Sequence, residues 1–425
     1  MNNFDRFHKA TSYIESLSNL PLFADFMSSE KTPHPEIYLK RMSYFLNLLG
    51  NPQNGFKFVH ITGTAGKGTV ATMIHNILAE SGKKCGLFTS PHVVSPIERI
   101  QVGSLYIAPD EFADLIEKVK PAIDEANRSG EFGRPSQFEI EFAIALLYFK
   151  SKKCQWVVLE VGCGGRFDAT NIIKPPEVAV ITCIDYDHTD VLGKTLKKIA
   201  FDKAGIVKRG SQVFTAEKRP ALVKMFSDIS EKAGATFQQI SYEDGADSNR
   251  LLALAAGKYL NIPDEAIKKG VETTRLPARF EIVSREPLII VDGAHNEVKI
   301  SRMISELKAE RFQKLLLVLS ISGNKDTPAI LKQIIPLADE IFFTRFSSRE
   351  RKPAPPERLL KESERYFKVG ARMETFLDVS DALAEALRRA GKDDCILITG
   401  SFFLAGELRR LWYPEERILK NRQSF

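Results

Sequence analysis

The segment Phe58-Val59-His60-Ile61-Thr62-Gly63-Thr64-Ala65-Gly66-Lys67-Gly68-Thr69 constrains this chain more than any other. A short apolar run, Phe56 to Ile61, reads as a strand and feeds a glycine-rich turn. A helical pattern follows, with Val70, Met73, Ile74, Ile77 and Leu78 on one side. Strand, glycine turn and helix in that order gather backbone N–H groups around one anion at the positive end of the helix. Glycine permits the close approach and the φ > 0 geometry that other residues resist. The pattern predicts a phosphate-binding loop, with Lys67 on the outer phosphates and Thr69 offering its hydroxyl to Mg²⁺. It departs from the strict G-x-x-x-x-G-K-[ST] form, because Gly68 separates Lys67 from Thr69.

A chain of 425 residues is too long for one ordinary core, and two domains are expected. No apolar run approaches the roughly 18 residues that span a bilayer, and the opening Met1-Asn2-Asn3-Phe4-Asp5-Arg6 lacks the order of a secretion signal. The expectation is a cytoplasmic protein with no membrane partner. The five cysteines (Cys85, Cys154, Cys163, Cys183, Cys395) show no C-x-x-C spacing, which argues against a disulfide framework or a zinc site. A net charge of +6, not gathered into basic blocks, does not suggest nucleic-acid binding. It suits small polyanionic substrates.

Strands and helices alternate along the chain. The spacing predicts helices over His34 to Leu49, from Pro109 to about Asn127, and from near Ser136. Strands are expected at Cys85 to Thr89, Trp156 to Val161, Val178 to Ile184 and Gln212 to Thr215. Near-continuous apolar strands between helices imply a parallel sheet buried on both faces. Around Arg275-Leu276-Pro277-Ala278-Arg279 the pattern breaks. A second alternation then begins, with strands at Leu288 to Val291, Lys314 to Ile321, Glu340 to Thr344 and Cys395 to Thr399. Gly293 and Gly400 stand just beyond strands, where open α/β sheets place ligand sites, so a nucleotide between the domains is expected.

Two more constellations carry chemistry. In Leu159-Glu160-Val161-Gly162-Cys163-Gly164-Gly165-Arg166-Phe167-Asp168-Ala169-Thr170-Asn171, a carboxylate ends an apolar strand, which is costly unless it is paired or binds a metal. In Asp185-Tyr186-Asp187-His188-Thr189-Asp190, polar groups again follow an apolar strand. Thr69, Glu160 and His188 are expected at the carboxyl edge of one sheet as oxygen and imidazole ligands for Mg²⁺.

Here the chain resembles a known family. Gly63 to Thr69 looks like the G-T-N-G-K-G-[ST] loop of the Mur ligase superfamily. Within it the chain is similar to folylpolyglutamate synthase and dihydrofolate synthase. The likeness rests on Thr89-Ser90-Pro91-His92, Glu98 to Gly103, Glu160 to Asn171, Asp187-His188, Lys203-Ala204-Gly205-Ile206-Val207-Lys208, Asp292-Gly293-Ala294-His295-Asn296 and Thr399-Gly400-Ser401, in order from about residue 35 to 412. It implies an α/β chain: a P-loop parallel-sheet ATPase domain over residues 1–277, then a smaller Rossmann-like α/β glutamate ligase domain over 278–425.

Carried over by position, the resemblance implies that Gly63, Thr64, Ala65, Gly66, Lys67, Gly68 and Thr69 hold the phosphates of ATP. Thr69, Glu160, His188 and a carbamylated Lys203 would bind two magnesium ions. Asn249 and Asp292 correspond to base and ribose contacts, and Arg279 to an arginine that reaches phosphate. His295 and Ser401 match positions linked to the incoming glutamate, while Ser90, Pro91, His92 and Arg99 lie in the segment shaping the pterin or folate site. Lys67, His188, Lys203, Arg279 and His295 are the implied catalytic set. Ala65 stands where asparagine is usual, Asp202 where glutamate often precedes the lysine, and Ala278 where glycine is commoner.

The implied activity is ATP-dependent ligation of L-glutamate to dihydropteroate and/or to the γ-carboxylate of a folate, by phosphoryl transfer to form an acyl phosphate and then amine attack, in a monomer. Two rivals are another Mur-type ligase acting on a cell-wall or storage polymer, and a regulatory P-loop NTPase. Bland readings also apply. Ser136 to Glu139 spells an S-x-x-E capping box, His60 and His75 read as structural, and Arg349 and Arg351 as a solvated loop.

Overall fold

The computed structural model describes residues 4–17, 35–243, 246–348 and 351–425. The chain divides into two compact units, one of residues up to His92 with Pro96–Thr274, the other of Val93–Ser95 with Arg275–Phe425. No helix among the described residues is long and apolar enough to cross a membrane.

The first unit is built on eight strands: β1 (Lys57–Thr62), β2 (Cys85–Phe88), β3 (Ile100–Val102), β4 (Leu105–Tyr106), β5 (Trp156–Glu160), β6 (Val178–Ile181), β7 (Gln212–Thr215) and β8 (Thr236–Gln239). Their order is β4-β3-β2-β5-β1-β6-β7-β8. The sheet is parallel except at one edge, where β2, β3 and β4 pair antiparallel. β1 lies between β5 and β6, with Ile61 opposite Glu160 and Thr62 opposite Ile181. The carboxyl ends of these three strands therefore meet at one place.

Both faces of the sheet are covered. Val59, Ile61, Val158 and Val180 pack under the helices Lys67–Glu80, Ser248–Tyr259 and Asp264–Glu272. Ala179, Ile181 and Val213 face the helices Leu196–Lys203 and Pro220–Ala233 on the other side. This two-sided burial is why the strands read as continuous apolar runs, each large aliphatic contributing about 1.5–3 kcal/mol. β6 is shorter than the run Val178 to Ile184. The Thr182 N–H still bonds the Thr62 carbonyl at 2.9 Å while its hydroxyl donates to the Ala65 carbonyl at 2.7 Å, which ties the end of the strand to the phosphate loop.

In the second unit, β9 (Glu281–Arg285), β10 (Leu288–Val291), β11 (Leu315–Leu319), β12 (Glu340–Phe343), β13 (Arg372–Thr375) and β14 (Cys395–Thr399) stand in the order β13-β12-β11-β14-β10-β9. Only β9 is antiparallel to its neighbour. Alternate residues of β10, β11 and β14 serve two separate cores, which makes this a three-layer α/β sandwich too. β10 and β14 are adjacent and parallel, so the segments after Val291 and Thr399 emerge side by side.

Candidate active site

The turn after β1 is held from below by the segment after β6. Thr64 donates its N–H to the Cys183 carbonyl at 2.8 Å, and its hydroxyl exchanges hydrogen bonds with the Asp185 carbonyl and N–H, each at 2.9 Å. Two glycines are dictated by geometry. Gly63 has φ +148° and a Cβ there would fall 1.7 Å from Thr182 Oγ1; Gly66 has φ +84° and its Cβ would fall 2.3 Å from Asn249 Oδ1. Ala65, between them, is half-buried. Asn249 comes from the start of a helix whose N-cap, Asp247, accepts its N–H at 3.1 Å.

Two ammonium groups converge on one oxygen. Lys67 Nζ donates to the Gly63 carbonyl at 3.1 Å and Lys203 Nζ to the same atom at 2.8 Å. Lys67 opens a helix of 14 residues. Lys203 is 2% exposed. Burial first, then the Lys67 charge, push its amine down to about 8, with Cys163, Asp187 and Asp202 pulling the other way. Burial raises Asp202, which Lys203 lowers.

The loop after β5 fixes Lys203 from behind. Asp168 is buried and accepts the Cys163 N–H at 2.9 Å, the Thr170 N–H at 3.0 Å and the Thr170 hydroxyl at 2.5 Å. Since that hydroxyl is donated to Asp168, it accepts from His60 Nε2–H at 2.8 Å. Burial drives His60 down to about 3, so it stays neutral and structural. His75 is likewise buried, at about 4, with Nε2 2.8 Å from the Gly103 carbonyl. At Gly165 a Cβ would sit 2.6 Å from the Lys203 carbonyl oxygen. The β5 loop and the Lys203 helix thus touch backbone to backbone.

Glu160, at the carboxyl end of β5, is 5% exposed; its Oε2 accepts the Ser90 N–H at 3.0 Å and lies 3.2 Å from where a Gly68 Cβ would be. The next residue, Thr69, is half-buried. His188 follows β6 in the left-handed region at φ +50°, with Nε2 3.8 Å from Asp187 Oδ2. Lys67, Gly68, Glu160 and Lys203 are therefore gathered at the carboxyl edge of β5-β1-β6. Among the described residues no three His, Cys, Asp or Glu side chains converge as a metal-binding group. The donors read from the sequence include only two such residues, Glu160 and His188. Two ammonium groups on one carbonyl, at the positive end of a helix, fit an oligophosphate. A buried carboxylate, a hydroxyl and an imidazole fit a hard divalent cation.

Beside this edge, Ser90 and Pro91 share a cis peptide bond. Arg99 is buried, donating Nε to His92 Nδ1 at 2.9 Å and pairing through Nη1 with Glu141. Glu141 also accepts from the Gln137 amide at 3.1 Å. Ser136 and Glu139 form the capping box, and Glu139 additionally takes both its oxygens to Arg41 Nε.

In the second unit, Asp292 follows β10. Its two oxygens accept the Phe280 and Ala294 N–H groups, each at 2.7 Å, while burial raises its pKa. His295 Nδ1 lies 2.8 Å from the Gly293 carbonyl, which only accepts, so Nδ1 carries the proton; Nε2 accepts from Lys299 Nζ at 3.0 Å. The imidazole is neutral. Its ring meets Phe402 edge-on, and the Arg279 guanidinium lies 4.0 Å over the centre of the same ring. Ser401 is buried and caps the helix Phe402–Arg409 by accepting the Phe403 N–H at 3.1 Å. Lys299, Glu141, Glu281 and Arg409 were not singled out in the sequence. For Lys299 a signal existed, the i, i+4 spacing from His295. Arg351 is half-buried, and Arg349 lies outside the described residues.

Comparison with known proteins adds to this geometry. Residues 61–256 match the Mur ligase middle domain and residues 278–402 the glutamate ligase domain of Mur ligases. A dihydrofolate synthase/folylpolyglutamate synthase of Bacillus subtilis is 30% identical over 414 residues, covering 88% of this chain and 94% of the relative. The solved structure of Mycobacterium tuberculosis folylpolyglutamate synthase complexed with ADP superposes with a TM-score of 0.85 at 28% identity, covering 96% of this chain and 99% of that one. A bifunctional folylpolyglutamate synthase/dihydrofolate synthase with Mn, AMPPNP and L-glutamate bound gives 0.79 at 26% identity, covering 95% and 97%.

Proposed function

We propose, from the premise that this chain belongs to the folylpolyglutamate synthase/dihydrofolate synthase family of Mur ligases, that it attaches L-glutamate to dihydropteroate, to the γ-carboxylate of a folate, or to both, through an acyl phosphate. The chain is an ATP-dependent glutamate ligase of folate metabolism. One observation carries the mechanistic reading, namely the Lys67 ammonium at the start of the helix that follows the glycine loop, its Nζ on the Gly63 carbonyl and buried Lys203 reaching the same oxygen.

A carboxylate resists amine attack because its oxygen is a poor leaving group. Transfer of the γ-phosphoryl group of ATP converts that oxygen into phosphate, which leaves readily. Lys67 and the loop amides hold the phosphates and offset the charge that spreads during transfer. Arg279 is assigned to the same charge. Thr69, Glu160 and His188 are the residues that would hold Mg²⁺, which when bound neutralises phosphate charge and polarises the transferring group. Relatives with ADP and with Mn, AMPPNP and L-glutamate support nucleotide and divalent-metal use here. An amine pushed to about 8 is partly neutral near pH 7–8, and the neutral amine is the nucleophile that attacks the carbon of CO₂, releasing a proton as the carbamate forms. That supports carbamylation of Lys203, with two metal ions beside it.

Asn249, against Gly66, is assigned to the nucleotide base, and Asp292 to the ribose. Neutral His295, with Lys299 on its Nε2, and Ser401 are assigned to the incoming glutamate. Ser90, Pro91, His92 and Arg99 are assigned to the pterin side. The reading includes a cytoplasmic monomer with small-molecule partners and neither nucleic acid nor membrane.

The test is ADP release with dihydropteroate, tetrahydrofolate or neither, each with glutamate, followed by product masses. Release that requires a pterin and glutamate, with a product heavier by one glutamate, supports the proposal. Release indifferent to both refutes it, and release driven by a muramoyl substrate favours the other Mur-type ligases.

A further inference from the structure

The two residues that flank Arg279 in the second unit adopt a conformation that the backbone alone disfavours. Ala278 has φ +51° and Phe280 φ +42°, with Arg279 between them. Neither flanking residue is glycine, and left-handed geometry persists in such residues only where the surroundings over-determine it.

The surroundings do so here. The Ala278 N–H donates to Glu281 Oε2 at 2.8 Å, the Ala278 carbonyl accepts the Gly293 N–H at 2.9 Å, and the Phe280 N–H donates to Asp292 Oδ2 at 2.7 Å. Glu281 is in turn gripped by Arg409, whose Nε and Nη2 reach its two oxygens at 2.7 and 2.8 Å. Both side chains are buried, Arg409 completely. Arg409 Nη2 also donates to the Ser424 carbonyl at 2.6 Å, and its guanidinium lies 4.2 Å over the Tyr413 ring and 5.3 Å over that of Phe425.

One short helix thus holds the turn from both ends. Phe402, at the start of Phe402–Arg409, lies beneath the Arg279 guanidinium. Arg409, at its end, holds the Ala278 amide through Glu281. A fully buried arginine and glutamate in two-point contact form a costly arrangement to keep, since apolar residues of similar volume often serve stability as well or better. Geometry is what such a pair supplies.

We infer that Glu281 and Arg409 are positioning residues for ligation: with Ser424 behind them, they lock the Ala278–Phe280 turn so that Arg279 is presented in one direction. The inference rests on the assignment of Arg279 to the transferring phosphoryl group. Neither residue touches substrate; each acts through Arg279.

The experiment is a double-mutant cycle on the full chain, measuring kcat and the KM for ATP and for glutamate. The variants are Arg279→Ala, Glu281→Gln and the two combined, with Arg409→Lys and a chain stopped after Gln423 as milder companions. Arg409→Lys keeps the buried charge but loses the fork, so it stays informative where Glu281→Gln does not fold. Displacing a catalytic group by about 1 Å costs on the order of 100-fold. Glu281→Gln is expected to lower kcat by about 10- to 100-fold, and Arg409→Lys and the shortened chain by less. Glu281→Gln is not expected to slow Arg279→Ala further, because the side chain it positions is already gone.

Losses that add to that of Arg279→Ala, or no loss in any of the three, would overturn the positioning role while leaving Arg279 in place. An Arg279→Ala enzyme with unchanged kcat and unchanged KM for ATP would overturn the assignment of Arg279, and the inference with it. A general weakening of the fold would not produce non-additivity.

Discussion

Removing the charge of Lys203 should make the ligand-free protein more stable and inactive. Its amine is buried, and burial together with the Lys67 ammonium pushes it from 10.5 down to about 8. The unfolded chain holds that proton up to about pH 10.5, whereas the folded chain releases it near pH 8. Below pH 8 both states are charged, and the folded state bears the full cost of burying the charge. Between pH 8 and about 10.5 only the unfolded state stays protonated, so stability rises with pH and the cost fades. At about 1.4 kcal/mol per tenfold change, the cost at neutral pH is about 3 kcal/mol. Lys203→Met keeps a stem of similar reach without the charge. It gives up one hydrogen bond to the Gly63 carbonyl, about 1 kcal/mol, and Lys67 still serves that oxygen.

The net expectation is a gain of about 2 kcal/mol at pH 7 that vanishes or reverses by pH 10. Urea unfolding in chelator and CO₂-depleted buffer measures it. Trp156, at the amino end of β5, reports on the first unit in a Trp412→Phe background. A Lys203→Met protein less stable than its parent at pH 7, or a difference that does not change with pH, would refute the reasoning. The expected result would mark the site as one where stability is given up for function.

Other outcomes follow from the same geometry. Lys67→Ala should lower kcat by on the order of 10³-fold with an unchanged melting curve, because its ammonium donates to a loop carbonyl rather than packing in the core and acts on developing charge; near-normal turnover would end its phosphate role. Asp168→Asn should cost about 2–4 kcal/mol, read from thermal melts, because one acceptor oxygen of a buried carboxylate taking three hydrogen bonds becomes a donor. Active enzyme should carry the mass of a carbamate on the peptide containing Lys203 under native conditions, and its absence there would remove the carbamate from the mechanism.

Local features were legible and remote ones were not. β5, β10 and β14 announced themselves because both faces of each are buried, leaving near-continuous apolar runs. The capping box of Ser136 and Glu139 was readable because its two hydrogen bonds close within three residues. That Glu139 also binds Arg41, 98 residues away, was not. β8, Thr236–Gln239, passed unnoticed because its edge position leaves it mostly exposed and its sequence polar. β3, β4 and β9 were missed because short antiparallel pairings carry little periodicity.

The candidate site divides in the same way. The loop from Gly63 to Thr69 is contiguous, so its geometry is written in its glycines. Lys203 meets the Gly63 carbonyl across 140 residues, and from its own neighbourhood it reads as a surface lysine; only the family resemblance singled it out. Ala278 shows the reverse. Its φ of +51° explains why glycine is commoner there, and the anchoring by Glu281 and Arg409 explains how alanine is accommodated.

The second unit borrows three residues from far earlier in the chain. Val93–Ser95 belong to it rather than to the segment they interrupt. The Val93 carbonyl oxygen lies so close to Gly406 that an added methyl there would approach it to 2.1 Å, and Arg410 Nη2 donates to the Val94 carbonyl at 3.1 Å. A gene fragment beginning at Arg275 would encode that unit with part of its own surface missing. The two halves are therefore not interchangeable cassettes: grafting the later one onto another ligase means transplanting this tripeptide as well, or supplying it from a separate strand of polypeptide.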